Sequence, residues 1–598
     1  MRLRIDYLPQ TREALLTTDE IGKAWIAIIR ACQDNADTNL IKQNEKEIIL
    51  PWWSFLLAKE SIGYHLARNN SQVEFSDDAK RLLQDALEKT TLYQKASEAI
   101  EISDSSLNKK LQEYGFTRKL TEEQIKNVKK LAALPAGATF SVPGAGKTTE
   151  ALAYFCCRRE KDSKLVIVCP KNAFAVWEEQ IATIFPEQKI SVVRLTGGVN
   201  NIQSIVENDP DVSLITYQQL PYADSIIANY LLSKKVFVFL DESHRMKRGD
   251  NGVIGSTILS LSHLPKSKCI MSGTPMPNGI GDLIPQFRFL YPEIQAAQDN
   301  VKDLIKPIYV RTTKKQLDIP PVTRILTKVN LSPAQRVLYQ LLCSEYAREN
   351  HAGLSALDRR KLRSIGKSAL RLLQLVSNPA LLAKKVNFEH KDLLNAVLSE
   401  GDSPKLEYIT NRARFLAAQG KKTIIWSSFV SNVELIAARL YDLGADYIHG
   451  GVEAGNEEEE NTRERKIKRF HDDDNAFVLV ANPAACSEGI SLHTVCHHAI
   501  YLDRNYNAAQ YLQSEDRIHR LGLKKDQKTT IEILCSPDTV DESVLNRLTN
   551  KIKLMGDVLD DPDLNIDPIP FDPDNDSEFD QEDAIDFLSH IKAEALAT

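Results

Sequence analysis

Unbroken apolar runs of strand length punctuate the chain from Ala138 onward, and between most of them the apolar positions recur with helical spacing. The runs fall at Ala138–Val142, Leu165–Cys169, Val192–Leu195, Leu214–Thr216, Val236–Leu240 and Lys268–Met271. Strands that alternate with helices and are apolar on both faces predict a doubly wound parallel sheet. A second such series begins at Thr423–Trp426 and continues through Ala445–Ile448, Phe477–Val480, His498–Leu502 and Thr529–Leu534. The stretch between them reads as mainly helical, and so does the N-terminal region after a short strand pattern at Leu3–Tyr7. The fold class is therefore α/β, with two tandem parallel-sheet lobes, a mainly helical linker and a mainly helical N-terminal domain. The predicted divisions are an accessory domain 1–110, a first lobe 111–290, a linker 291–400, a second lobe 401–556 and a tail 557–598.

A length of 598 residues exceeds one hydrophobic core and suits roughly three or four domains. No apolar run approaches the ~18 residues of a membrane span, and Met1–Gln10 holds no stretch of signal-peptide length. A cytoplasmic protein without a membrane partner is expected. Nine scattered cysteines give neither a disulfide framework nor a four-cysteine zinc site. His493, Cys496, His497 and His498 read as ordinary core and loop residues at a strand's mouth rather than as converging metal ligands.

The formal net charge of −6 argues against a polyanion partner until its distribution is considered. From Asp557 onward 14 acidic residues face one lysine, a local charge of −13 that leaves the rest of the chain at +7. Phosphate backbones would draw on that positive remainder. The tail reads as acidic and largely disordered. A sharper reading makes it a docking or autoinhibitory segment anchored by Phe579 and Ala584–Leu588. Protein partners would bind there or on residues 1–110, where Trp52-Trp53 reads as core rather than as a base-stacking platform.

The chemistry starts at Pro143-Gly144-Ala145-Gly146-Lys147-Thr148-Thr149, a glycine-rich turn between a strand and a helix. Such a turn offers backbone N–H groups to phosphates, its lysine neutralises the β/γ-phosphates, and its hydroxyl holds Mg²⁺. Ser141 stands where the first glycine of this pattern is usual. Asp241 ends an apolar strand, where a carboxylate reaches the metal held by Thr148, and Glu242 follows to polarise the attacking water. ATP and Mg²⁺ are thus the expected ligands. Ser272 and Thr274, after another strand, are candidates to couple nucleotide state to a nucleic acid, and Ser428 ends a buried strand of the second lobe.

In combination these motifs resemble the Swi/Snf-type family of helicase superfamily 2, the duplex-DNA translocases, in a compact, bacterial-type form. The resemblance covers residues 116–551 and implies two RecA-like lobes. It assigns adenine reading to Gln124, a segment that meets the DNA backbone to Pro170-Lys171 and Trp177, and nucleotide or DNA contact to Ser487–Leu492, including Gly489. That last segment departs from the family in having less glycine and no asparagine. Gln513, Asp516, Arg517 and Arg520 match the family's last motif. Arginines three apart on a helix would face the same way, so Arg520, with Arg517 beside it, is expected to supply charge to the hydrolytic transition state. The expected function is ATP-driven translocation on double-stranded DNA, through sequence-independent backbone contacts, in DNA repair or defence against foreign DNA. The alternatives are an RNA or DNA helicase, or an ATP-gated DNA-binding subunit with little turnover alone.

Overall fold

The computed structural model describes every residue except 36–39, 97–100, 250–251, 350–358, 384–387, 454–458, 460, 487–490, 562–563, 565–580 and 597–598. Two units result: Met1–Met276 with Ile280–Thr312, and Pro277–Gly279 with Thr313–Thr598.

The first unit begins with a sheet that the helical reading of residues 1–110 does not include. Strands β1 (Arg2–Leu8), β2 (Glu13–Thr18), β3 (Lys42–Gln43), β4 (Glu47–Pro51) and β5 (Gln72–Phe75) line up in the order β3-β4-β2-β1-β5. Alternation explains it, because Leu3, Ile5, Tyr7, Ala14, Leu16, Ile48 and Leu50 all point into one buried face. The helices Lys23–Asp34, Trp52–Arg68 and Asp77–Ala96 account for most of the residues, yet the sheet organises the module. Trp52 and Trp53 are buried, Trp52 within the module's core.

This module is anchored to the rest of its unit. Tyr7 Oη and His263 Nε2 share a 2.8 Å hydrogen bond, Arg12 pairs with Asp224, and Lys89 donates to the Pro265 carbonyl at 3.0 Å. Burial first, and then the nearby Lys89, Arg12 and Lys268 cations, hold the His263 imidazole well below its ordinary value of 6.5. The folded chain therefore keeps His263 neutral, whereas the unfolded chain protonates it as pH falls through about 6.5. Stability that is complete above that pH is lost below it, by up to about 1.4 kcal/mol per pH unit per such group. His244, depressed in the same direction in this unit, adds to the loss. Melting curves between pH 8 and 5 should fall more gently for His263→Gln than for the parent, and parallel curves would refute this account.

Strands β6 (Ala136–Thr139), β7 (Lys164–Val168), β8 (Val192–Arg194), β9 (Val212–Ile215), β10 (Val236–Asp241), β11 (Ser267–Met271) and β12 (Tyr309–Val310) form the first lobe's sheet. All its pairings are parallel, in the order β12-β6-β11-β10-β7-β9-β8. The second unit carries β13 (Val322–Lys328), β14 (Lys422–Trp426), β15 (Asp446–Ile448), β16 (Val478–Ala481), β17 (Cys496–Tyr501) and β18 (Thr529–Cys535), again all parallel, ordered β13-β18-β17-β14-β16-β15.

Two boundaries move. The expected linker 291–400 is shared out: residues up to Thr312 stay in the first unit, where β12 forms an edge strand, and β13 opens the second sheet. The helical part, Pro333–Glu349, Arg359–Ser377 and Lys391–Ser399, belongs to the second unit. In the tail, the described part includes the segment read as an anchor, Ala584–Leu588. Gln581–Leu596 is a helix packed on Pro333–Glu349 and on Val540–Val558, with Ala584, Phe587, Leu588 and Ile591 buried. Phe579 lies outside the described residues. Among the described residues no helix is long and apolar enough to cross a membrane.

Candidate nucleotide site

Three motif-bearing strands lie side by side in the first sheet, β6, β11 and β10, and their C-terminal ends are in register: Thr139 opposite Met271, and Met271 opposite Asp241. The loops that follow them therefore share one edge of the sheet, the usual place for ligands in a parallel α/β lobe.

The loop after β6 turns through Gly144 and Gly146, with φ of 87° and 86°, and the helix Lys147–Arg158 starts there. These left-handed angles favour glycine. A side chain at Gly146 would also strike the amide of Gln124. Gln124 braces the loop: its Nε2 donates to the Ala145 carbonyl at 3.0 Å, while its Oε1 accepts from the Thr121 N–H at 3.1 Å. Lys147 Nζ donates to the Ser141 carbonyl at 2.9 Å. Pro143, Gly144 and Thr148 are partly exposed along the loop. Two of the residues expected at the nucleotide have partners within the lobe. The Ala145 N–H donates to the Val142 carbonyl at 3.1 Å, closing the turn itself. Thr149 is buried, and its hydroxyl accepts from Arg118 Nη1 at 3.0 Å. Arg118 carries no motif that would have singled it out in the sequence.

Ser141 also has a structural reason. Its hydroxyl accepts from the Thr312 N–H at 3.0 Å, and the Val142 N–H donates to the Thr312 carbonyl at 3.0 Å. Asn127 Nδ2 reaches both Thr312 Oγ1 at 2.9 Å and the buried Glu150 carboxylate at 2.7 Å, and the Thr139 hydroxyl donates to the same carboxylate at 2.7 Å. Burial pushes the Glu150 carboxyl upward, and these hydrogen bonds oppose the shift. The network ties the nucleotide loop to Thr312, the last residue of the unit. Glycine at position 141 would lose the hydroxyl's part of that link.

Asp241 is held from two sides. Trp177, on the helix Ala173–Ile184, donates its indole N–H to Asp241 Oδ2 at 3.0 Å, and Tyr217 Oη donates to the Asp241 main-chain carbonyl at 2.7 Å. The family resemblance sets Trp177 in a DNA-facing segment, but the ring is 1% exposed and turned inward, while Lys171 remains at the surface.

Glu242 takes a left-handed conformation, φ 54° and ψ 52°, uncommon for a residue with a side chain. Its Oε2 lies 3.4 Å from Ser272 Oγ and 3.4 Å from His244 Nδ1, and His244 Nδ1 is 3.0 Å from Ser272 Oγ. Burial keeps His244 neutral by holding it well below its usual value. Ser272 and Thr274 are themselves buried. Gly273 allows close approach here, since a β-carbon would come within 2.9 Å of the Pro143 ring. The partly exposed hydroxyl of Thr148 and carboxylate of Asp241 are hard oxygen donors, a set that suits Mg²⁺ shared with substrate phosphates.

In the second unit the helix Ala508–Glu515 ends before the arginines, so Arg517 and Arg520 lie in the turn beyond it and not on one helix face as expected. Arg517 Nε donates to the Gln513 carbonyl at 2.8 Å. The turn is braced by the chain that enters this unit. Arg324 makes two bonds to the buried Glu515, at 2.9 and 2.7 Å, Lys314 pairs with Asp516 at 2.5 Å, and His519 Nε2 is 2.6 Å from the Pro320 carbonyl. Burial would raise the Glu515 carboxyl, and the Arg324 guanidinium outweighs it and holds the carboxylate below its usual range. Ser428 and Gln513 are nearly inaccessible, and the Ser428 N–H donates to Asp503 Oδ1 at 2.7 Å. Ser487 and Gly489 lie outside the described residues. Of the histidine-rich stretch, His493 shares a 2.9 Å bond with Ser491 and the Cys496 thiol points to the Lys422 carbonyl.

An SNF2-related domain matches residues 140–381, and a helicase conserved C-terminal domain matches residues 404–522. The chain is 21% identical to nuclear protein STH1/NPS1 of Saccharomyces cerevisiae, over 92% of its own length and 42% of that protein's. It is 22% identical to the ISWI chromatin-remodeling complex ATPase CHR11 of Arabidopsis thaliana, over 69% of its length and 40% of the relative's. It thus spans less than half of either protein. Among solved structures, the Sulfolobus solfataricus SWI2/SNF2 ATPase core in complex with dsDNA aligns with 75% of this chain and 95% of its own, at 22% identity and a TM-score of 0.32. The two domain matches cover in turn the lobe that carries Lys147 and Asp241–Glu242 and the lobe that carries Arg517 and Arg520, so the chain carries an SNF2-related domain followed by a helicase conserved C-terminal domain.

Proposed function

We propose that the chain is an ATPase, stimulated by duplex DNA, that uses hydrolysis to move along the duplex and so remodels it or displaces bound proteins. The observation that carries this reading is the placement of Lys147 and Thr148 after β6, and of Asp241 and Glu242 at the end of β10, on one edge of the sheet with β11 between them. The naming of one relative as a chromatin-remodeling ATPase supports both the reaction and the polymer.

Lys147 and the helix N-terminus it opens would hold the β/γ-phosphates. Thr148 and Asp241 would hold Mg²⁺, which when bound neutralises phosphate charge. Glu242, fixed by its backbone and by Ser272, would orient and polarise the attacking water. Arg517 and Arg520 would stabilise the charge of the transition state. Contacts to DNA phosphates would make movement independent of sequence. The setting we propose, from the sequence resemblance, is DNA repair or defence against foreign DNA.

The test is ATP hydrolysis by the full chain with no nucleic acid, single-stranded DNA, duplex DNA and RNA, together with Glu242→Gln. Strong stimulation by duplex that disappears in the variant is expected. Stronger stimulation by a single strand would favour a helicase. Nucleotide-dependent DNA binding with uniformly low turnover would favour a binding subunit.

A further inference from the structure

Trp177 has an unusual place for a tryptophan. Its ring is buried in the first lobe's core, but its one polar atom lies 3.0 Å from an oxygen of the Asp241 carboxylate. The two residues are 64 positions apart, brought together because β10, which ends in Asp241, pairs with β7, and the helix bearing Trp177 follows β7. An indole N–H donates only and does not titrate in the physiological range. It therefore favours the ionised carboxylate and fixes its rotation at every working pH. The ring around the N–H is packed against the core, so the donor itself is held still.

We infer that Trp177 is a positioning residue that presents Asp241 to Mg²⁺ and thereby sets the magnesium requirement of nucleotide binding. This inference rests on the proposed ATP reading. Partners that orient a metal-ligating carboxylate commonly change metal affinity by about 10–100-fold when removed.

The test uses the full chain, a fluorescent non-hydrolysable ATP analogue and a titration of magnesium chloride. Trp177→Phe keeps the apolar bulk and loses the donor. It should bind the analogue as the parent does in excess EDTA, yet need about tenfold more magnesium for half-maximal tightening. In an Asp241→Asn background the same change should add no further shift. An unchanged magnesium midpoint, or an additive shift in that background, overturns the inference and leaves Trp177 as core packing. Should Trp177→Phe fail to fold, the indole N–H resonances of a nitrogen-labelled chain bound to the analogue give an independent reading. One of them should move on magnesium addition in the parent and stay fixed in Asp241→Asn; no such resonance overturns the inference. If the parent itself binds no nucleotide, with or without magnesium, the ATP reading fails first.

Discussion

Glu242→Gln is expected to retain ATP binding while its turnover falls by about 10²–10⁴-fold, the range for loss of a positioned acid–base group, or about 3–5 kcal/mol of barrier. Glutamine has the same shape and can adopt the same left-handed backbone, so the contact with Ser272 Oγ at 3.4 Å has a replacement acceptor. What disappears is the negative charge beside the water. Strain of this kind costs about 1–3 kcal/mol and persists only where surrounding structure enforces it. Here the enforcing neighbours are β10 on one side and the Ser272–His244 pair on the other. Lys147→Ala should behave differently, because it removes charge that both bound ATP and the transition state would use, and so weakens binding as well as turnover. Equilibrium binding of a fluorescent ATP analogue beside single-turnover hydrolysis separates the two cases. Turnover within about threefold of the parent in Glu242→Gln, far short of the acid–base range, would remove Glu242 from the chemistry.

The second large effect concerns the C-terminal helix. Asp583 is fully buried, accepts from Arg547 Nε at 2.7 Å and pairs with Lys551 Nζ at 2.9 Å. Asp583→Ala removes the carboxylate that both cations share, and the next acid on the helix, Asp586, lies 3.9 Å from Arg547 Nε. Breaking a buried ion pair from one side costs about 3–5 kcal/mol. Lys551 is 2% exposed at its side chain and has little access to water as compensation. The expected result is a melting transition of the second unit lowered by on the order of 10 °C, with early proteolysis near the start of the helix. Asp583→Asn, which keeps an acceptor, should lose less. A transition unmoved by Asp583→Ala would mean that the buried pairs with Arg547 and Lys551 contribute nothing to the unit's stability.

The same helix shows how far local composition reaches. The 14 acidic residues from Asp557 onward read as a solvated tail. Ala584–Leu588 is legible as an anchor, but what it anchors to, the surfaces of Pro333–Glu349 and Val540–Val558 that bury Ala584, Phe587, Leu588 and Ile591, is not. Of the N-terminal sheet only the Leu3–Tyr7 strand is read from the sequence, and strands as short as Lys42–Gln43 and Gln72–Phe75 show too few alternations to stand out beside three long helices.

What the sequence determined by itself is whatever a few neighbouring residues decide. Buried parallel strands are continuous apolar runs, so each run read from the sequence in either lobe overlaps a strand in the structure. The turn at Gly144 and Gly146 is equally local, because positive φ selects glycine residue by residue. Tertiary structure decided the rest. The order β6-β11-β10, the indole of Trp177 on Asp241, the tie from Ser141 to Thr312 and the bracing of the Arg517 turn by Arg324 all depend on partners tens to hundreds of residues away. Hydrogen bonds at such separations leave no period in the chain, and they form only once packing has already brought the donor and acceptor together.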